Sequence, residues 1–188
     1  MRILVYLGHP AHFHNYKNTI AALKAHGISH VVMMTGDSER TAKRIADLVG
    51  VDEYYAEVLP EDKAGFVEDR KKAGLAVIMV GDGINDSPAL SAADAGVAIS
   101  DGSEIARQIA DITVASEDLY RIVTVKELSD LLMKRIRFNY RTIVGFNSGL
   151  IALGLLGVLS PATSALLHNA STIALGLNST TKLLREVK

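Results

Sequence analysis

The first two-thirds of the chain alternates short apolar runs with longer segments in which apolar residues recur at helical spacing. The runs are near-continuously apolar, which is typical of strands buried on both faces of a parallel sheet. The predicted strands are Ile3–Leu7, Val31–Met34, Ala76–Val80, Val97–Ile99 and Ile112–Val114. The predicted helices are Tyr16–His26, Glu39–Val49, Glu61–Ala73, Ser87–Ala93 and Ser103–Ala110. This βαβ alternation predicts an α/β fold with a doubly wound parallel sheet.

The pattern changes at Thr142, because the 40 residues from there to Thr181 contain no Asp, Glu, Lys or Arg. We expect two transmembrane helices, Thr142–Leu159 and Pro161–Asn178, each near the lower length limit for crossing ~30 Å of hydrocarbon. A hairpin buried in a soluble core is the alternative, and it would need far more surrounding protein than the rest of the chain provides.

Basic residues flank this uncharged block and are absent from the turn between its halves. The positive-inside rule therefore predicts an integral protein of the cell (plasma) membrane with the α/β domain in the cytoplasm. Apolar positions at helical spacing also predict a stalk helix before the block. The predicted organisation is an atypical N-terminal strand and loop (1–20), an α/β core (21–117), a stalk helix (118–141), two transmembrane helices (142–181) and a cytoplasmic tail (182–188).

Overall composition excludes several kinds of protein. The net charge is −1, so nothing predicts a bulk attraction to nucleic acid. The chain has no cysteine, which rules out a disulfide framework and a thiolate metal cluster. Its first residues lack the cleavage site of a signal peptide and are better explained as a buried strand.

Polar residues cluster after two of the predicted strands. Thr35, Gly36 and Asp37 follow Val31–Met34, and the run Gly81–Asp86 (GDGIND) follows Ala76–Val80. Ligands of doubly wound folds bind at this end of the strands. Lys63 lies at the start of a predicted helix.

These residue types suit phosphoryl transfer, in which negative charge on the transferred group needs donors, a cation and a metal. A Thr hydroxyl and a lysine ammonium supply the first two. Mg²⁺ prefers one or two carboxylates, for which Asp82 and Asp86 are the candidates. Taken singly, TGD is a common turn and a lone lysine is usually solvated, so the prediction depends on the three segments occurring together.

The three segments TGD, LPEDK and VGDGINDSPAL resemble, in order and spacing, the haloacid-dehalogenase-like phosphorylation domain of P-type ATPases. The flanking sequence is similar to the heavy-metal-transporting (P1B) branch over roughly Ala21 to Leu184. The resemblance implies that Thr35, Gly36 and Lys63 contact the phosphoryl group, that Asp82 binds Mg²⁺, and that Asn85 and Asp86 hold the phosphate–metal arrangement. It also implies ATP as phosphoryl donor and Asp37 as part of the catalytic set.

The chain departs from the family in one respect. The family's nucleophile is an aspartate in a DKTGT motif, and no DKTG occurs in these 188 residues. The first predicted strand runs instead into Gly8 and His9. We therefore expect the chain to supply half of a phosphorylation site and to be inactive alone, without the DKTGT aspartate and a nucleotide-binding domain.

In the resembling family the last two membrane spans contribute ligands for the transported ion. Asn147, His168 and Asn169 fall near the matching positions, although such groups also bond simply across a helix pair. The implied cargo is a transition-metal cation of the Zn, Cd, Co, Mn or Cu class.

Three functions stay open at this point. The chain is part of an ATP-driven metal pump, a haloacid-dehalogenase-type phosphatase, or a non-catalytic membrane-anchored fragment that binds Mg²⁺ or phosphate or pairs with a complementary chain.

Overall fold

Six parallel strands form one sheet in the order β3-β2-β1-β4-β5-β6. The computed structural model describes residues 2–5, 13–81, 84–99, 104–115 and 118–183. The strands are β1 (Arg2–Val5), β2 (His30–Met34), β3 (Glu53–Tyr55), β4 (Val77–Gly81), β5 (Ala95–Ile99) and β6 (Ile112–Val114). The helices are α1 (Phe13–Ala25), α2 (Glu39–Val49), α3 (Pro60–Lys72), α4 (Ser87–Ala92), α5 (Glu104–Ile109), α6 (Arg121–Leu155) and α7 (Pro161–Ser179). The strand order reverses direction at β1, which confirms the predicted doubly wound α/β fold.

The chain divides into two units, Met1–Lys126 and Glu127–Lys188. In the first unit both faces of the sheet are buried. Val31 and Met33 of β2 pack with α1 and α2 in one cluster, whereas Val32 and Met34 pack with α3 and α4 in the other. Because successive side chains point to opposite faces, an uninterrupted apolar strand is what two covered faces require.

Three aspartates fix the strands at the amino edge of the sheet. Asp52, Asp94 and Asp111 each precede an outer strand and accept a backbone N–H at the first or second residue of the neighbouring inner strand at 2.8 Å. The N–H groups belong to Val31, Val77 and Gly96, the last of which is the second residue of β5. Carboxylate acceptors here satisfy backbone donors that the parallel ladder leaves unpaired.

Asp52 should make stability depend on pH. Partial burial acts to raise its pKa, but hydrogen bonds from Lys24 and Val31 N–H and the charges of Lys24 and His30 outweigh burial and hold the pKa below its ordinary value. A lowered carboxylate pKa stabilises the fold above the unfolded pKa of about 4, and this stabilisation is lost as pH falls through the folded pKa.

We therefore expect Asp52→Asn to lower the free energy of unfolding by about 0.2–1 kcal/mol at pH 7, since the ion pair is partly solvated. The difference from the wild type should shrink as pH falls below about 4. Urea unfolding followed by circular dichroism from pH 7 to pH 3.5 measures it. A difference that stays constant over this range would contradict the assignment.

β3 is a strand that the sequence analysis missed. It has three residues, Glu53, Tyr54 and Tyr55, and lies at the edge of the sheet beside β2. Its side chains are only partly buried, so it lacks the apolar run by which the other strands were recognised. Tyr55 packs edge-on against Phe66 of α3, with ring centroids 5.2 Å apart, which joins this edge to the helix.

The second unit contains the greater part of α6, together with α7. Arg135 donates to the carbonyl of Thr181 at 2.6 Å, and Asn139 donates to Ser179 Oγ at 2.8 Å, so the two helices run antiparallel. The two helices therefore form an antiparallel hairpin.

The prediction of two transmembrane helices is not supported. Across the described residues, no helix has both the length and the apolar content required to span a bilayer. α6 ends at Leu155 and not at Leu159, because Gly157 adopts a left-handed conformation with φ of 72°. Gly157 N–H then bonds to Gly154 and Val158 N–H to Leu153, which is a Schellman C-cap. The apolar part of α6 is confined to its last turns. α7 includes the polar residues His168, Asn169 and Asn178.

Candidate functional site

The TGD segment and Gly81, the first residue of the GDGIND segment, lie on either side of the end of β1. Val5, the last residue of β1, pairs with Met33 of β2 on one side and Val80 of β4 on the other. Thr35 directly follows β2, and Gly81 is the last residue of β4. This is the switch point of the sheet, at its carboxyl edge, where open α/β folds bind their ligands.

Thr35 is tied to Asp37 through two hydrogen bonds. Thr35 Oγ1 donates to Asp37 Oδ2 at 2.8 Å, and Asp37 N–H donates to Thr35 Oγ1 at 3.1 Å. Thr35 is buried, while Gly36 and Asp37 are exposed. The loop thus holds one hydroxyl in a fixed place and leaves the adjacent backbone open to solvent.

Lys63 and Asp86 form a buried ion pair. Lys63 Nζ lies 2.8 Å from Asp86 Oδ1, and the two side chains are only 5% and 1% exposed. Pro60 occupies the first turn of α3 and starts the helix that carries Lys63. Asp86 directly precedes α4. Removing two charges from water is costly, and only direct pairing with good geometry offsets that cost. The two predicted site residues are therefore in direct contact.

Gly81 allows Asp86 to reach this position. A Cβ placed on Gly81 would lie 2.8 Å from Cβ of Asp86 and 3.1 Å from its Oδ2. A side chain at residue 81 would displace the carboxylate from Lys63. The glycine is thus required by close packing and not by an unusual φ.

Only one of the two predicted Mg²⁺ ligands is among the described residues. Asp86 is in place and Asn85 beside it is exposed, whereas Asp82 lies outside the described residues. Within the described residues no group of three or more His, Asp or Glu side chains is arranged as a metal site. Mg²⁺ needs only one or two protein carboxylates, and waters and phosphate oxygens complete its shell. The donor types at this edge, a carboxylate, an ammonium and a hydroxyl, fit an anion held with hydrated Mg²⁺.

Two residues that the sequence pattern does not reveal contact the Thr35–Asp37 loop through the backbone. Glu57 N–H donates to the Asp37 carbonyl at 2.9 Å, and Val58 N–H donates to the Thr35 carbonyl at 3.0 Å. Glu57 has a positive φ of 55°. Side-chain chemistry gives no signal for such contacts, since any residue type has an N–H to donate except proline.

The second unit brings two of the predicted ion ligands together. His168 Nδ1 and Asn147 Oδ1 are 2.9 Å apart, which joins α7 to α6. Both line an open groove with Leu150, Ile151, Pro161, Ser164 and Ala165. Asn169 is exposed on α7 and is not among the lining residues of this groove. Of the three predicted ligands, the structure therefore brings Asn147 and His168 into contact.

Comparisons with known proteins place the chain among similar sequences and structures. Residues 2–94 match the family model for haloacid dehalogenase-like hydrolases. The chain is 44% identical over 161 residues to the manganese-exporting P-type ATPase of Mycobacterium bovis, a match that covers 85% of this chain and 22% of that protein. It is 42% identical over 163 residues to the copper-exporting P-type ATPase of Bacillus subtilis, covering 87% of this chain and 20% of that protein.

A solved structure gives the same result. The zinc-transporting PIB-type ATPase in its E2.Pi state superposes with a TM-score of 0.82 at 33% identity, covering 90% of this chain and 27% of that chain. The chain spans about a fifth of the length of the curated relatives that it matches. It thus contains a haloacid dehalogenase-like α/β domain and is similar over most of its length to metal-exporting P-type ATPases.

Proposed function

We propose that the chain supplies the Mg²⁺- and phosphate-binding half of the phosphorylation site of an ATP-driven transition-metal exporter. The buried Lys63–Asp86 pair supports this best. An ion pair with a purely structural role stabilises a fold little more than apolar side chains of the same volume would. A fully buried pair at the ligand-binding edge is therefore more readily explained by function. The identity with manganese- and copper-exporting ATPases supports the class of cargo.

The residues of the chain have separable roles in this proposal. Lys63 places a fixed positive charge against a phosphoryl oxygen, and Thr35 contributes a hydroxyl already held in position. Asp86 orients Lys63 and, with Asp82, would hold Mg²⁺, which when bound neutralises phosphate charge. Asn85 and the backbone of Gly36 would offer further polar contacts.

The nucleophile must come from elsewhere. The chain contains no acidic residue before Asp37, so β1 and the loop after it provide no carboxylate to phosphorylate. We therefore propose that the chain is inactive alone and acts with a polypeptide that carries DKTGT and a nucleotide-binding domain. The assembly would be a protein of the cell (plasma) membrane with its α/β domain in the cytoplasm.

The cargo proposal concerns the second unit. We propose that Asn147 and His168, paired at 2.9 Å, contribute to a transition-metal site that other parts of a pump complete, with Asn169 as a further candidate. An imidazole nitrogen suits Zn²⁺ or Cu and an amide oxygen suits Mn²⁺, so the pair does not select one metal.

Phosphate binding by the purified chain tests the central proposal. In the presence of Mg²⁺, inorganic phosphate should bind the wild type, and Thr35→Val should weaken binding about tenfold through the loss of one hydrogen bond to a charged group. Asp82→Asn should remove the Mg²⁺ dependence. Thr113→Val, at an exposed position of the edge strand β6, is the matched control and should bind like the wild type.

A labelling experiment tests the claim of inactivity. With γ-labelled ATP and Mg²⁺, the chain alone should acquire no acid-stable, hydroxylamine-sensitive label. Label of this kind would show that a carboxylate within the chain is phosphorylated and would overturn the claim. Turnover of a generic phosphomonoester that is abolished in Asp82→Ala would favour a phosphatase instead.

A further inference from the structure

The ladder between β2 and the segment after β3 is irregular beside the candidate site. Tyr55 accepts from Thr35 N–H at 3.0 Å, as in a regular parallel pair. The next donor to the Thr35 carbonyl should then be Glu57 N–H, two residues after Tyr55. It is Val58 N–H instead, and Glu57 N–H is diverted to the carbonyl of Asp37. One extra residue is thus inserted on the β3 side, which is the defining property of a β-bulge.

The extra residue is Glu57, and its backbone is in the left-handed region. Among the described residues with a side chain, Glu57 is the one with positive φ, at 55°. Glutamate has no special preference for this conformation, and the surrounding contacts must impose it. Such strain is concentrated at functional sites, where it holds neighbouring groups in place.

The bulge connects two parts of the site. Its N–H groups hold both carbonyls that flank Gly36. Glu57 precedes Lys63 by six residues, and the intervening chain leads through Leu59 into α3, which carries Lys63. The Thr35 hydroxyl is fixed from within the loop by Asp37, and the bulge fixes the loop from outside.

We propose that Glu57 is a positioning residue, which acts through its backbone conformation to hold the Thr35–Asp37 loop and the start of α3 in the arrangement that binds a phosphoryl group. This inference rests on the proposed function. Its carboxylate is exposed and plays no part; the left-handed φ is what matters.

Two substitutions separate backbone from side chain. Glu57→Gly removes the carboxylate and keeps the left-handed conformation accessible. Glu57→Val also removes the carboxylate, but a β-branched residue is strongly disfavoured at positive φ. Glu68→Gly and Glu68→Val, at an exposed position of α3, form the control pair because they make the same chemical changes at an ordinary helical position.

The readouts are the dissociation constant for inorganic phosphate with Mg²⁺ and the hydrogen exchange of the Val58 amide. Glu57→Val should raise the dissociation constant about tenfold or more and speed exchange at Val58. Glu57→Gly should stay within about threefold of the wild type, since glycine adopts this φ without strain. The Glu68 pair should leave the dissociation constant unchanged.

Equal weakening by Glu57→Gly and Glu57→Val would assign the effect to the carboxylate and overturn the proposal. A Glu57→Val protein with a lowered melting temperature and unchanged phosphate affinity would overturn it as well, because the bulge would then be merely structural. A wild type that binds no phosphate at all would instead refute the proposed function, and the positioning role with it.

Discussion

Replacing Lys63 with methionine is expected to lower the free energy of unfolding by about 3–5 kcal/mol, because it removes the ammonium that offsets the charge of the buried Asp86 carboxylate. The two side chains are 5% and 1% exposed, so water cannot compensate for the loss. Methionine preserves most of the volume, which limits any contribution from a cavity. Urea unfolding of the purified chain, followed by circular dichroism, measures the change.

Two further variants control this result. Lys72→Met removes an ammonium that is 70% exposed and should change the free energy of unfolding by less than about 1 kcal/mol. The double variant Lys63→Met/Asp86→Leu removes both charges and should recover much of the stability lost in the single variant. If Lys63→Met were as stable as Lys72→Met, the pair would not be buried as described.

The second large effect is expected at Gly96, in β5. A Cβ there would lie 2.8 Å from the backbone oxygen of Leu90 and 3.3 Å from its carbonyl carbon. Backbone atoms of α4 cannot rotate away as a side chain can, so strand and helix must separate. Gly96→Ala should lower the free energy of unfolding by about 1–3 kcal/mol.

Gly65→Ala is the matched control for this change. Gly65 lies in α3, and nothing is within 4 Å of the position that its Cβ would take. Alanine should therefore raise the free energy of unfolding by about 0.5–1 kcal/mol, because glycine is unfavourable within a helix. Opposite signs for the two Gly→Ala variants are the expected result, and a loss in both would mean that contact with Leu90 is not the cause.

Much of the α/β unit could be predicted because burial on both faces leaves a clear trace in composition. β2 and β4 are continuous apolar runs, and each is followed directly by polar site residues. β3 left no such trace, since half-buried Glu53 and Tyr54 read as ordinary surface residues. The order of TGD, Lys63 and GDGIND predicts that these residues share the carboxyl edge, and the structure places Lys63 and Asp86 in direct contact.

The remaining features depend on three-dimensional context. Apolar composition after Thr142 could not reveal that the Schellman cap ends α6 at Leu155. The bulge at Glu57 is equally hidden, because glutamate is an unusual residue for positive φ and a glycine would have been the expected marker. The direct Lys63–Asp86 contact required knowledge of how α3 and the start of α4 approach each other.

The aspartates at the amino edge have a consequence for alignment errors between strands. If an outer strand shifted by one residue, its side chains would exchange faces, and Asp52, Asp94 or Asp111 would also lose the backbone N–H that it accepts. Each misaligned form would then contain a backbone N–H of a buried residue without its acceptor, in addition to misplaced apolar groups. The three carboxylates thus widen the energy gap between the native alignment and its closest competitors. The aspartates lie at the amino edge of the sheet, and the candidate site lies at the carboxyl edge. Substitutions that alter the chemistry of the site therefore leave the alignment of the strands unchanged.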